Sequence, residues 1–249
     1  MRRIMLTVAY DGTAYCGWQV QPNGDTIEAN LNRHLSELLG EPITVIGASR
    51  TDSGVHAKGN VAVFDTNARI AADKIALAMN TRLPHDIKVQ SSREVPPDFH
   101  PRYREVVKTY EYRICNRRIP DPCERLYALF YYWPLDETKM QQAADCLVGT
   151  HDFSSFCSHR PEDKNCVRTI YELKVTREGD IVKIRITGSG FLYNMVRIIA
   201  GTLLRIGTGA VPAEQMKQIL DAKDRKVACE TARPEGLTLI GIEYPGLEL

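Results

Sequence analysis

The chain has 249 residues, enough to bury a large core as one sizeable or two small domains with no disulfide or metal to hold it. Its 32 Lys and Arg against 31 Asp and Glu leave a formal charge of +1, which excludes a globally basic nucleic-acid binder and shifts attention to how charge is distributed. No apolar run approaches bilayer-spanning length, and seven cysteines, with no Cys-x-x-Cys pair and no secretory segment before them, read as reduced thiols of a cytoplasmic protein without membrane contact.

In chain order, residues 4–10 read as a strand and residues 26–39 as an amphipathic helix, with Thr26 as N-cap and Gly40 closing it. Residues 43–48 and 61–66 are β-branched, apolar strand runs, and Gly54 and Gly59 allow sharp turns between them. A second helix spans residues 71–81, entered near Asn67 or Asp73, and residues 87–95 form a fourth strand. This half reads β-α-β-β-α-β. The second half has a long strand at 106–115, a helix at 136–147 and strands near 170–175 and 181–187. Helices follow at 192–206 and 212–220, and a last strand at 237–244. The expected fold class is therefore α+β, with two split-β-α-β (ferredoxin-like) halves whose antiparallel or mixed sheets flank a central active-site cleft. The boundary falls in the 96–103 linker, giving an N-terminal half 1–98 that carries Asp52 and a C-terminal half 99–249 that carries Tyr110 and Arg197.

Arg50-Thr51-Asp52-Ser53-Gly54-Val55-His56-Ala57 sets one carboxylate beside one guanidinium between two strand runs. If the strand reaches that far, Arg50 and Asp52 share a face, and the cation holds the carboxylate ionised and aimed. An aimed, ionised aspartate can be a nucleophile. An isolated Asp-Ser-Gly is also an ordinary Asx turn, so the assignment needs support from elsewhere in the chain. His56 reads as a structural histidine. Thr109-Tyr110-Glu111-Tyr112-Arg113-Ile114 alternates, placing Tyr110, Tyr112 and Ile114 on one buried face, with Tyr112 read as a core aromatic. Arg197 is the only charge between Asn194 and Leu204, off the apolar stripe of Leu192, Met195, Val196, Ile199, Leu203 and Ile206 and on a second face with Gly201. A buried cation demands a partner, the alternative being bonds to helix-end carbonyls.

Between Phe99 and Arg118 six cations (Arg102, Arg104, Lys108, Arg113, Arg117, Arg118) stand against Glu105 and Glu111. Charged edge-strand positions would give the same composition. The interleaved Phe99, His100, Tyr103, Tyr110 and Tyr112 favour RNA, because aromatic faces with cations suit an unstacked base and its phosphate. Residues 160–168 offer an alternative track. Cys157-x-His159 with Cys166 matches no common zinc spacing and lacks a fourth ligand, and Gly188-Ser189-Gly190 is a strand-to-helix turn rather than a phosphate loop.

The Arg50 to Ala57 stretch closely resembles the Arg-Thr-Asp-x-Gly-Val-His-Ala signature of the tRNA pseudouridine synthase A family. Tyr10-Asp11-Gly12, Gly17-Trp18-Gln19, Leu83-Pro84-x-Asp86-Ile87, Phe99-His100-x-Arg102, Tyr110-x-Tyr112-x-Ile114, His151-Asp152-Phe153-Ser154-Ser155-Phe156, Gly190-Phe191-Leu192-Tyr193-x-Met195-Val196-Arg197 and Gly236-Leu237-x-Leu239 follow the family order across nearly the whole chain. Ser49 replaces a common glycine and Arg233 a usually small or apolar residue. The resemblance implies isomerisation of uridine to pseudouridine at positions 38, 39 and 40 of the anticodon arm, without cofactor or metal. It implies Asp52 as nucleophile, Arg50 as orienting and base-flipping residue, Tyr110 as stacking and proton-transfer group, and Arg197 as the buried partner of Asp52. Phe99, His100, Arg102 and Arg118 join Tyr110 as substrate-binding residues, tRNA is the partner, and the enzyme is expected to be a homodimer. The rival reading is a non-catalytic RNA-binding module on the same sheet; a carboxylate-dependent hydrolase would need a second acid near Asp52.

Overall fold

The structure, a computed structural model, describes residues 1–159 and 165–247. Its contacts divide the chain into two units, Met1–Val106 with Leu239–Leu249, and Val107–Thr238. In the first unit β1 (Arg2–Tyr10) runs between β4 (Ile87–Val95) and β3 (His56–Thr66), antiparallel to both, and β2 (Ile46–Gly47) pairs with β3. With α1 (Ile27–Leu39) and α2 (Ala72–Asn80) in the connections, the strand order β4-β1-β3-β2 is that of a split-β-α-β unit, as expected.

Local chemistry explains where these elements begin and end. Thr26 is extended and its hydroxyl accepts from Ala29 N–H at 3.3 Å, while Gly40, left-handed at φ 68°, returns its N–H to the Ser36 carbonyl. α1 buries Ile27, Leu31 and Leu35. The strand expected over 43–48 shrinks to Ile46–Gly47, because Ile43 N–H and Val45 N–H donate to Ser36 Oγ and Asn32 Oδ1 of α1 instead of to a ladder, both at 2.8 Å. α2 has no side-chain cap from Asn67 or Asp73. Ser92 of β4 instead bridges an i→i−4 pair within the helix, its hydroxyl accepting from Ala76 N–H at 2.8 Å and donating to the Ala72 carbonyl at 2.6 Å.

The second unit carries β5 (Val107–Asn116), β6 (Leu129–Tyr131), α3 (Glu137–Asp145), β7 (Gly149–Asp152), β8 (Val167–Glu178), β9 (Ile181–Gly188), α4 (Met195–Gly207) and α5 (Gln215–Ala222). β9 lies between β5 and β8, antiparallel to both; β7 edges β8, and β6 runs parallel to the end of β5, which makes the sheet mixed. β6 and β7 are unanticipated, being too short, and in β7 too polar, to carry a period. Asp136 caps α3 by accepting from Lys139 N–H at 3.0 Å. α4 starts at Met195, after a turn through left-handed Asn194, rather than at residue 192.

The chain ends in β10 (Leu237–Glu243), which from Leu239 onward belongs to the first unit, beside β3. Gly59 lies inside β3, not in a turn; a Cβ there would sit 3.1 Å from the Ile240 carbonyl oxygen. The division expected after residue 98 falls after Val106, because residues 99–106 are tied to the first unit. Phe99 is fully buried edge-on to Tyr244, Arg3 Nη1 donates to the Phe99 carbonyl at 2.9 Å, and Tyr244 OH donates to the Pro101 carbonyl at 2.9 Å.

Candidate active site

Asp52 sits half-buried in the loop between β2 and β3, which the Arg50-Thr51-Asp52 segment enters as coil rather than strand. The loop is bonded on every side. Asn60 Nδ2 donates to the Ser49 carbonyl at 2.9 Å, Tyr10 OH and Thr51 Oγ1 lie 2.7 Å apart, Trp18 N–H reaches the Thr51 carbonyl at 3.0 Å, and Val55 N–H reaches the Asp52 carbonyl at 3.1 Å. Ser53 Oγ and Gly54 N–H both donate to the Tyr15 carbonyl. The 10–18 segment fits this closely only because it carries glycines: a Cβ on Gly12 would lie 2.0 Å from the Val55 carbonyl oxygen, and one on left-handed Gly17 (φ 88°) 2.7 Å from that of Thr51. Tyr15 OH donates to Asp86 at 2.6 Å and Asp11 N–H to the Asp86 carbonyl at 2.9 Å, so the 83–87 motif braces the same segment. Buried His56, whose Nδ1 accepts from Gly12 N–H at 3.1 Å and lies 3.2 Å from Asp11, fits the structural role read from sequence.

Arg50 does not take the position expected of it. It forms no ion pair among the described residues, and its exposed side chain lines a cleft of about 130 Å³ with Trp18, Gln19, Glu28, Ile46 and Arg102. Two guanidiniums on one small cleft suit a phosphate better than they suit orienting Asp52. Phe99, expected to meet the base, is a core ring with the Arg104 guanidinium 5.3 Å above it. His100 instead stacks on exposed Tyr103, ring centroids 4.1 Å apart. Burial first, then the charges of Arg102 and Arg3, hold His100 below the ordinary imidazole value, so it offers a ring face rather than a cation at neutral pH.

In the second unit Tyr110 and Tyr112 are both buried on one face of β5. Tyr110 packs edge-on to Phe191 at 5.3 Å, and Tyr112 OH donates to the Arg233 carbonyl at 2.7 Å, the core role expected of it. Arg197 is half-buried, not enclosed. Its Nε donates to the Ala232 carbonyl at 2.8 Å and its Nη1 to Asn194 Oδ1 at 3.1 Å. The Gly201 face packs on the same chain segment, since a Cβ on Gly201 would be 2.0 Å from the Glu230 carbonyl oxygen. The basic stretch is partly neutralised: Arg104 pairs with Asp98, Arg113 with Glu124, and Arg117 with Asp121 and Asp180. Arg102 and Arg118 are exposed and make no ion pair among the described residues. Arg160, at the head of the alternative track, lies outside the described residues. Cys157 is buried, its thiol donating to the His159 carbonyl at 2.9 Å, and burial pushes its pKa up. No group of three His, Cys, Asp or Glu among the described residues forms a metal site.

The profile of the family described as tRNA pseudouridine synthase matches residues 6–104 and 143–245. A relative named tRNA pseudouridine synthase A from Acetivibrio thermocellus is 46% identical over 244 residues, covering 98% of this chain and 100% of that one. The chain belongs to the tRNA pseudouridine synthase family. Another relative of that name, from Halalkalibacterium halodurans, is 46% identical over 95% of this chain and 90% of its own length. A chain in the crystal structure of the archaeal box H/ACA sRNP Nop10-Cbf5 complex aligns at 9% identity with a TM-score of 0.35, over 95% of this chain and 46% of that one, a likeness on which nothing further rests.

The family's sequence blocks converge within each unit. Tyr10-Asp11-Gly12, Gly17-Trp18-Gln19 and Asp86 all touch the Asp52 loop or the segment that covers it. In the second unit Gly236 is packed so tightly on Tyr112 that a Cβ would approach its ring to 2.7 Å. His151-Asp152-Phe153-Ser154-Ser155-Phe156 is a packing element in this member of the tRNA pseudouridine synthase family, with Phe153 and Phe156 fully buried. Sequence reasoning missed Asn60 and passed over Tyr10 and Thr51 as individual residues. An amide just ahead of the apolar run Val61-Ala62-Val63-Phe64 was the available signal for Asn60.

Proposed function

We propose that this member of the family isomerises uridine to pseudouridine at positions 38, 39 and 40 of the tRNA anticodon arm, with Asp52 as the nucleophile and no cofactor. The observation that carries the reading is the loop itself: a half-buried carboxylate on a turn held by hydrogen bonds at the Ser49, Thr51 and Asp52 carbonyls, the Gly54 and Val55 N–H groups and the Thr51 hydroxyl. Such a carboxylate is held ready for attack on the base or its sugar carbon. Release of the N-glycosidic bond, rotation of the uracil and re-attachment through carbon complete the isomerisation, and none of these steps changes oxidation state. Tyr110 stacks on the extruded uracil and assists proton transfer, while Arg197 serves as the charge partner of Asp52. Arg50, Arg102 and Arg118 hold phosphates, and the His100–Tyr103 pair offers a stacking face. The enzyme works in the cytoplasm as a homodimer on free tRNA; no helix among the described residues is long and apolar enough to cross a membrane.

The test is Asp52→Asn, which keeps shape and removes nucleophilicity. Incubated with unmodified tRNA and no additive, it should form no carbodiimide-reactive product beyond a trace while binding tRNA within a few-fold of the unmodified protein. Turnover by a verified Asp52→Asn protein would sink the assignment and favour the RNA-binding module.

A further inference from the structure

We propose that Asn60 and Tyr10 are positioning residues, forming a hydrogen-bond relay that sets the aim of Asp52. The proposal rests on the reading of Asp52 as nucleophile. Asn60 is completely buried in β3, immediately before four apolar residues. A buried amide is costly unless it is bonded, so an aliphatic side chain would serve the core better if packing were the only demand.

The bonds of Asn60 define one direction. Its Oδ1 accepts from Val61 N–H at 2.9 Å and its Nδ2 donates to the Ser49 carbonyl at 2.9 Å. A backbone N–H can only donate and a carbonyl can only accept, so the amide has one orientation. From that orientation Nδ2 also donates to Tyr10 OH at 3.3 Å. The phenol oxygen thus accepts from Asn60 and shares a second hydrogen bond with Thr51 Oγ1, 2.7 Å away, in which either hydroxyl can donate.

The two ends of this relay land on Ser49 and Thr51, the residues either side of Arg50 and directly before Asp52. The exit of the turn is fixed separately, by Val55 N–H on the Asp52 carbonyl. The relay therefore fixes the entry, and with it the direction in which the carboxylate leaves the backbone. A misplacement of about 1 Å at a reacting group can cost roughly 100-fold in rate, far more than the modest net worth of the hydrogen bonds themselves. Positioning, not stability, is where the relay should register.

The experiment compares Tyr10→Phe, Thr51→Val and Thr51→Ser in the full chain, each by single-turnover rate at saturating enzyme, tRNA affinity and melting temperature, with Asp52→Asn alongside. Tyr10→Phe and Thr51→Val should each slow the single-turnover rate by about 10- to 100-fold with affinity within about two-fold. Thr51→Ser, which keeps the hydroxyl, should stay within a few-fold of the unmodified enzyme. The double variant Tyr10→Phe/Thr51→Val should be no slower than the slower single, since both break one relay. Unchanged rates in Tyr10→Phe and Thr51→Val, or a Thr51→Ser as slow as Thr51→Val, would overturn the relay. So would a loss confined to melting temperature or affinity. If Tyr10→Phe fails to fold, the two Thr51 variants decide alone. An active Asp52→Asn overturns the nucleophile and the relay together; an inactive Asp52→Asn beside a full-speed Tyr10→Phe removes the relay only.

Discussion

Near the start of α4 the Arg197 guanidinium uses one edge to hold the Ala232 carbonyl and another to hold Asn194 Oδ1. Removing the first of these bonds leaves a partly buried carbonyl short of a donor, at a cost of about 1–3 kcal/mol. Arg197→Lys keeps the charge but has no Nε to place at Ala232. Stability in urea should therefore fall by that amount, and the single-turnover rate of the folded protein should fall at least 10-fold if Asp52 depends on the guanidinium. A stability loss with an unchanged rate would make Arg197 purely structural. Several residues were legible beforehand: Tyr112 from strand alternation, and the Asp52 loop from its glycines and motif. Arg50 was not, because the side it faces depends on residues 48–52 leaving the strand. Nor was Phe99, whose burial is supplied by Tyr244 from the far end of the chain.

Among the elements, α4 illustrates how tertiary contact overrules propensity. Alanine is a better helix former than glycine by about 1 kcal/mol, which alone would make Gly201→Ala stabilising. The added Cβ, however, would stand 2.0 Å from the Glu230 carbonyl oxygen, and backbone cannot swing aside as a flexible side chain can. Overpacking of that kind costs about 1–3 kcal/mol or more. Gly201→Ala should lower the urea midpoint, and a raised midpoint would show that the 230–232 segment yields. The same override limited what the sequence could tell about other elements. α1 announced both caps because its signals are local. The 43–48 strand did not, because its backbone N–H groups are claimed by Ser36 and Asn32, side chains of α1, and the start of α2 did not, because no side chain caps it. β6 pairs with β5 over three residues only, below the length at which a period can be read.

For the molecule as a whole, near-neutrality means that RNA affinity must come from a few uncompensated cations. Arg104, Arg113 and Arg117 are already engaged with carboxylates, whereas Arg102 and Arg118 are not. Each phosphate neutralised contributes roughly 0.7 to 0.9 to the slope of log affinity against log salt. Arg102→Ala with Arg118→Ala should thus reduce that slope by about one to two, with single-turnover rates within a few-fold at saturation, while Arg113→Ala leaves the slope unchanged. An unaltered slope in the double variant would mark both as solvated surface. The place of β10 has a different consequence, one of timing. On the ribosome β1 to β4 emerge before the second unit, yet β10, which also lies beside β3, emerges only after it. Long-range pairing of this kind is slow to close. The second unit, continuous from Val107 to Thr238, can therefore be finished while the first still waits for β10, so the unit that carries Asp52 is begun before its neighbour and completed after it.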